Sequence, residues 1–304
     1  MLTSAIVICT KDRQTDLTRC LDSLLKQTCK PDELIVVDSG SDGSPTVVQD
    51  FAGRMSGCSV VYLRSEPGLT RQRNIGISAT TKDLVHFMDD DVVCAPTYLE
   101  EVRQTFEDPA FADVLSVGPR VRLNYHPSWW GKWFRELFLL VNVSGSGRML
   151  PSGFGSYTWY AAANAVHPVE VMGGCCCAFR RSVFDAMRFD ESLDGYGYME
   201  DLDFTYRVSR LGRMVCNPRA GVFHTESQSG RIGPRRLVAM QIVNHRYVFK
   251  KHLPQDVSHR FCFWWSEIGE TILRLLRCVR TRDPAILLGA LDGYSAILRR
   301  RARA

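Results

Sequence analysis

Three consecutive aspartates, Asp89, Asp90 and Asp91, stand directly behind the apolar run Leu84 to Met88. Adjacent carboxylates repel one another, so a fold keeps them together only where something offsets the repulsion. A short apolar run of this kind reads as a strand buried on both faces. In an extended segment alternate side chains share a face, so Asp89 and Asp91 point one way and Asp90 the other. Asp89 and Asp91 are therefore the candidate ligand pair for Mg²⁺ or Mn²⁺, hard cations that take one or two carboxylates together with substrate phosphates. A solvated acidic turn is the competing reading of an isolated triplet. Its place at the end of a buried strand favours the cation.

The same pattern recurs upstream. Ala5 to Cys9, Leu34 to Val37 and Ser59 to Leu63 read as strands, and Thr15 to Gln27, Thr46 to Met55 and Leu69 to Ala79 as helices. Strands separated by helices at this spacing imply a parallel sheet covered on both faces. Ligands of such sheets bind beyond the carboxyl ends of the strands, which puts Asp38 and the aspartate triplet in one crevice. Further on, Tyr98 to Phe106 reads as a helix and Val114 to Val121 as a strand. Residues 124–170 read as a loop or insertion with one helix around Trp133 to Val141. Cys175 to Arg180 reads as a strand, Glu200 to Leu211 as a helix, and a last strand lies near Met214.

A chain of 304 residues buries a full core without disulfides or metal. Its eleven cysteines are odd in number, no basic n-region precedes Leu2 to Cys9, and Cys175 to Cys177 are contiguous where zinc sites space their ligands. They read as buried small hydrophobes in a reducing, cytoplasmic compartment. No apolar stretch approaches the ~20 residues of a membrane span. A net charge of +5 is too mild to indicate nucleic acid. Walker A and Gly-x-Gly-x-x-Gly are absent, so ATPase and dinucleotide readings lack their fingerprints.

Three more polar clusters bear on function. Asp38 to Ser44 has the density of a calcium loop, but Gln49 stands where an EF-hand needs a bidentate Glu; a turn bonding a base or ribose fits better. Gly68 to Asn74 places Arg71 and Arg73 at a helix start, which favours a diphosphate, against the alternative of a solvated helix face. Glu200 and Asp201 open a helix, either as partners of its dipole or with one of them as a general base.

Taken together and in order, Ile6 to Arg13, Ile35 to Ser44, Gly68 through Gly76, Phe87 to Asp91, Arg180-Arg181 and Glu200-Asp201 resemble the family 2 glycosyltransferases, inverting enzymes of the GT-A fold. The resemblance covers residues 3–225. It implies an α/β fold with a Rossmann-like mixed, mostly parallel sheet and a C-terminal helical appendage. It also implies a catalytic domain at 1–232, with a nucleotide-binding half 1–118 and an acceptor half 119–232, followed by the appendage at 233–304. By the same resemblance Thr10, Arg13, Asp38, Arg71, Asn74, Asp89 and Asp90 bind the nucleotide-sugar. Asp91, Asp89 and His224 hold Mg²⁺ or Mn²⁺. Asp201 is the catalytic base, with Glu200 beside it. The reaction implied is hexosyl or rhamnosyl transfer, with inversion, from a UDP- or dTDP-sugar to a hydroxyl of a glycan or polyprenyl-linked acceptor in polysaccharide synthesis. A catalytically inactive scaffold and a metal-dependent nucleotidyltransferase are the rival classes.

Two features fall outside that set. Trp129, Trp130, Trp133, Tyr157, Trp159 and Tyr160 could stack on an acceptor sugar, or else pack in a core or face a membrane. Asn244 to His252 resembles the post-catalytic helix of bacterial polysaccharide members of the family. Beyond it Trp264, Trp265, Ile268, Ile272, Leu276 and Val279 recur at helical spacing, with Arg274, Arg277 and Arg280 largely off that stripe. Residues 271–304 carry eight Arg against two Asp, while the other 270 residues are nearly neutral. A basic amphipathic helix suits peripheral contact with an anionic membrane at the inner face of the cell membrane; packing on the catalytic domain is the alternative.

Overall fold

The structure, a computed structural model, describes all residues except 124–127, 143–144, 159–163, 228 and 302–304. Trp159 and Tyr160 lie outside the described residues. The chain divides into two compact units, 1–126 with 158–230 and 127–157 with 231–304. The segment 127–157, read from the sequence as part of the acceptor half, thus belongs with the C-terminal helices.

The first unit opens as β1 (Ser4–Thr10), α1 (Gln14–Leu25), β2 (Glu33–Asp38), α2 (Ser44–Arg54), β3 (Ser59–Arg64), α3 (Leu69–Ser78) and β4 (Leu84–Asp89). β5 (Val92–Cys94), α4 (Tyr98–Glu107) and β6 (Val114–Leu123) follow. In the second unit come α5 (Trp129–Leu137), β7 (Arg148–Met149) and β8 (Gly155–Ser156). The first unit resumes with β9 (His167–Val169), β10 (Cys176–Arg180), α6 (Val183–Ala186), α7 (Glu200–Ser209) and β11 (Arg213–His224). α8 (Pro234–His252), α9 (Val257–Thr281) and α10 (Ala285–Arg301) complete the second.

The sheet of the first unit runs β3-β2-β1-β4-β10-β6-β11-β5, with β9 also on β11. β1 to β4 are parallel, as the strand-helix alternation predicts. Beyond β4 the sheet becomes mixed, because β10 returns antiparallel between β4 and β6. β1, β2 and β4 are buried on both faces, which is why they read as unbroken apolar runs. Ile6 and Ile8 enter a core on one side, and Val7 enters a second core with Ile35, Phe87 and Phe179 on the other. Phe189 stacks on Phe204 at 4.1 Å in that second core. The eleven cysteines are unpaired, and Cys175, Cys176 and Cys177 are all buried. The register sets Cys9 opposite Asp89 and Thr10 opposite Asp38, so the acidic strand ends line one edge.

In the second unit, Gly289 and Gly293 let α10 approach α8, where Val238 and Ile242 meet Ile286, Ala290 and Ile297. His245 has Glu267 Oε1 at 2.6 Å from Nδ1 and the Ser152 carbonyl at 2.9 Å from Nε2. Tyr294 donates to Glu267 Oε2 at 2.7 Å, and Arg274 lies 3.3 Å from the same oxygen. Arg274, grouped in the sequence with the basic residues outside the apolar stripe, is therefore buried within the unit.

α3 lies against β1 so closely that a Cβ at Gly76 would collide with the Val7 side chain. Gly76→Val is expected to lower stability by about 1–3 kcal/mol through overpacking, read as a lower urea midpoint. An unchanged midpoint would show that the two elements are not in tight contact.

Candidate active site

The carboxyl ends of β4 and β11 bring Asp89, Asp91 and His224 together, with one ligand atom from each within 4.8 Å of the others. Asp91 is buried and its Oδ2 accepts from the Ser227 amide at 2.9 Å. Its Oδ1 is 3.0 Å from His224 Nε2, an ion-pair distance, yet it receives no aligned hydrogen bond. Burial opposes ionisation of Asp91, but His224 and Arg13 outweigh it and hold the carboxyl below its ordinary value. Burial likewise opposes the His224 imidazolium, and Asp91, Cys175 and Asp89 overcome it, raising the pKa to about 11. A buried carboxylate oxygen met only by the His224 ion pair, beside a second carboxylate, fits a divalent cation of the Mn²⁺ or Mg²⁺ type.

Arg73 ties this cluster to the acidic pair of α7. It is buried, with Nη1 2.7 Å from Glu200 Oε1, Nη2 3.4 Å from Asp89 Oδ1, and the Gly174 carbonyl at 3.1 Å from Nη2. The guanidinium also lies 5.1 Å from the centroid of the Phe189 ring. Burial pushes the Glu200 carboxyl up, against the pull of Arg73. Asp201 is half-buried, and its carboxylate accepts from the Gly174 amide at 2.9 Å and the Leu202 amide at 2.8 Å. Gly174 is required here, since a Cβ would lie 2.8 Å from Asp201 Cβ and 3.0 Å from Glu200 Oε1. Met199, just before the pair, has φ 71°, the kind of backbone strain that concentrates at functional sites.

β4 ends at Asp89, so Asp90 and Asp91 lie in a turn rather than on the alternating strand the sequence implied, and Asp90 faces the β1–α1 loop. It accepts from Thr10 Oγ1 at 2.7 Å and from Arg13 Nη1 at 2.9 Å, while Arg13 Nε donates to the Ser229 carbonyl. Burial, opposed by Arg13 and Thr10, raises the Asp90 pKa to about 7. Thr10, Arg13 and Asp90 therefore brace one another and tie the β1–α1 loop to the segment after β11.

Asp38 is fully buried. Its Oδ2 accepts from Tyr62 Oη at 2.6 Å and from Arg64 at 3.2 Å, and its Oδ1 accepts from the Gly40 amide. Arg71 is exposed, 3.6 Å from Glu191. Asn74 donates to the Phe189 carbonyl and accepts from the Phe189 amide, so its side chain fastens the loop beneath Arg73.

Gln72 is a site residue that the sequence reading did not single out, and Arg73, read there as one of two arginines favouring a diphosphate, is instead buried against Glu200 and Asp89. Gln72 Nε2 donates to the carbonyls of Thr10 and Val37, joining the ends of β1 and β2. Their signal was helical spacing: Arg73 stands three and four residues before Gly76 and Ile77, on the buried face of α3.

Residues 5–188 match the family described as Glycosyl transferase family 2. The chain is 30% identical over 105 residues to "Putative glycosyltransferase EpsH" of Bacillus subtilis, a match that spans 34% of this chain and only 30% of that protein. It is 25% identical over 239 residues to "Amylovoran biosynthesis glycosyltransferase AmsE" of Erwinia amylovora, spanning 78% of this chain and 80% of that one. The mannosyltransferase PcManGT of Pyrobaculum calidifontis, solved with GDP-Man and Mn²⁺, superposes with a TM-score of 0.61 at 14% identity, covering 96% of this chain and 87% of its own. That likeness shows the fold, which is the GT-A fold.

Removing Arg73 leaves two carboxylates without their shared cation. Arg73→Ala is expected to cost about 3–5 kcal/mol in urea unfolding, with Arg73→Lys recovering part of the loss. Wild-type stability in Arg73→Ala would contradict the bridge.

Proposed function

The chain belongs to glycosyl transferase family 2, and from that premise we propose that it is a metal-dependent inverting glycosyltransferase. Its donor would be a pyrimidine nucleotide-diphospho-sugar, linked to UDP or dTDP. Its acceptor would be a hydroxyl of a glycan or polyprenyl-linked carrier in polysaccharide synthesis, and peripheral membrane contact through the C-terminal helices belongs to the same reading. The observation that carries it is the buried bridge of Arg73 between Asp89 of the metal-type cluster and Glu200 of the acidic pair.

Asp89, Asp91 and His224 would hold the cation. When bound, it supplies charge neutralisation for the departing nucleoside diphosphate. Asp201, its carboxylate fixed by two amides, takes the proton from the acceptor hydroxyl. Glu200 is engaged by Arg73 and serves to position Asp201 and the guanidinium rather than to move a proton. Attack from the face opposite the leaving group inverts the anomeric carbon. Asp38 is fully buried, so its part on the base side would be to orient Tyr62 and Arg64, which it holds. Thr10, Arg13 and Asp90 support the nucleotide side of the crevice by fixing its loop, and Arg71 and Asn74 belong to the donor-side segment.

Two measurements test this. Incubated with UDP-, dTDP- and GDP-sugars and Mn²⁺ or Mg²⁺, the protein should release nucleoside diphosphate, most readily from a pyrimidine donor, and a chelator should stop it. Release of pyrophosphate would indicate nucleotidyl transfer, and no turnover with intact nucleotide binding an inactive scaffold. Asp201→Asn should lower transfer by a factor on the order of 10²–10⁴ while donor binding persists. Undiminished transfer would remove Asp201 as the base.

A further inference from the structure

We propose that the second unit docks on an anionic bilayer, with a tryptophan ridge on α5 and an outward apolar face of α9 lying in the membrane interface. α9 turns an apolar stripe outward. It buries Ser266, Glu267 and Arg274 together with Phe263 and Gly269, while Phe261, Ile268, Leu276 and Val279 are 50–71% exposed. A helix normally turns its apolar stripe to the core. From Phe261 to Val279 the outward stripe runs about 27 Å, which is far more than scattered surface apolar residues account for.

α5 repeats the inversion. Among its residues none is buried, and Trp129, Trp130 and Trp133 are 67%, 68% and 50% exposed. Tryptophan, apolar in body with one polar N–H, is the side chain most at home between water and acyl chains. The two surfaces are continuous. Phe138, just after α5, stacks on Trp265 at 4.8 Å, Trp265 stacks on Phe261 at 6.0 Å, and Trp265 Nε1 donates to the Leu137 carbonyl.

Charge selects the occupant. Residues 127–157 and 231–304 hold 18 Lys and Arg against 6 Asp and Glu, a net +12, whereas the first unit holds 20 against 27, a net −7. Two +12 surfaces repel each other, which disfavours a second copy of the chain, and a surface of anionic headgroups attracts one. Arg280 is exposed toward the flank of the stripe, and Arg277 is exposed on the opposite side of the helix. α9 lies on the bilayer and does not cross it, because Glu267, Glu270, Arg274, Arg277 and Arg280 interrupt it, and no described helix is long and apolar enough to span. The proposal deepens the expected membrane contact of the functional reading and moves its anchor onto α5, but it does not depend on the chemistry.

The test is flotation of the full chain with vesicles of phosphatidylcholine, alone or mixed with phosphatidylglycerol, at two salt concentrations. The protein should float with the anionic vesicles, less so at high salt, with a blue shift of tryptophan emission. A variant carrying Trp130→Ala and Trp133→Ala should lose about tenfold or more in partitioning. Arg277→Glu with Arg280→Glu should weaken the preference for the anionic lipid. These side chains are exposed, and circular dichroism verifies folding. No flotation with either vesicle, wild-type flotation of the tryptophan variant, or a lipid-independent dimer broken by Leu276→Ser would overturn the proposal. Nucleoside diphosphate release assayed without vesicles separates the two readings: its loss with flotation intact overturns the functional reading alone.

Discussion

Five acidic side chains, Asp89, Asp90, Asp91, Glu200 and Asp201, crowd one edge of the sheet, and two guanidiniums and an imidazole hold them there. Burial raises the Asp90 and Glu200 carboxyls, so ionising all five side chains there calls for more positive charge than Arg13, Arg73 and His224 supply. That cost of keeping carboxylates charged in a partly desolvated place is the constraint on which the site depends. It makes a divalent cation welcome and makes each of the three basic groups structurally necessary.

Much of the remaining architecture serves this edge. The pairing of Cys9 with Asp89 and of Thr10 with Asp38 brings the acidic strand ends level. Gln72 locks the ends of β1 and β2 through their carbonyls. Asn74 fastens the Phe189 backbone, and Phe189 supplies the ring over which Arg73 lies. Gly174 gives Glu200 and Asp201 room beside the guanidinium. α3 therefore contributes three consecutive polar residues, Gln72, Arg73 and Asn74, each spent on a different part of the frame.

The strands and the aspartate triplet were legible in the sequence because they follow short-range rules. Apolar runs of the right length make buried strands, and the triplet stands where β4 ends, although Asp90 and Asp91 lie in the turn after it and not on the strand. Arg73 was not legible as the bridge, since its partners Asp89 and Glu200 lie 16 and 127 residues away. Asn74, grouped with the nucleotide contacts by family resemblance, turns its side chain to backbone 115 residues on. The antiparallel entry of β10 is a matter of topology that no local pattern encodes. The assignment of 127–157 to the helical unit rests on tertiary packing, such as Phe138 against Gly269 and Trp265. The outward face of α9 was legible as a stripe, but its direction was not, because periodicity alone does not say which side faces in.

The central claim is that the cluster at the ends of β4 and β11 is a cation site completed by a nucleoside diphosphate. Anomalous scattering from crystals grown with Mn²⁺ and UDP tests it most directly. The account predicts one strong manganese peak among Asp89, Asp91 and His224, with the diphosphate completing its coordination. A peak elsewhere, or UDP bound with that cluster still holding its His224–Asp91 ion pair and no metal, would contradict it.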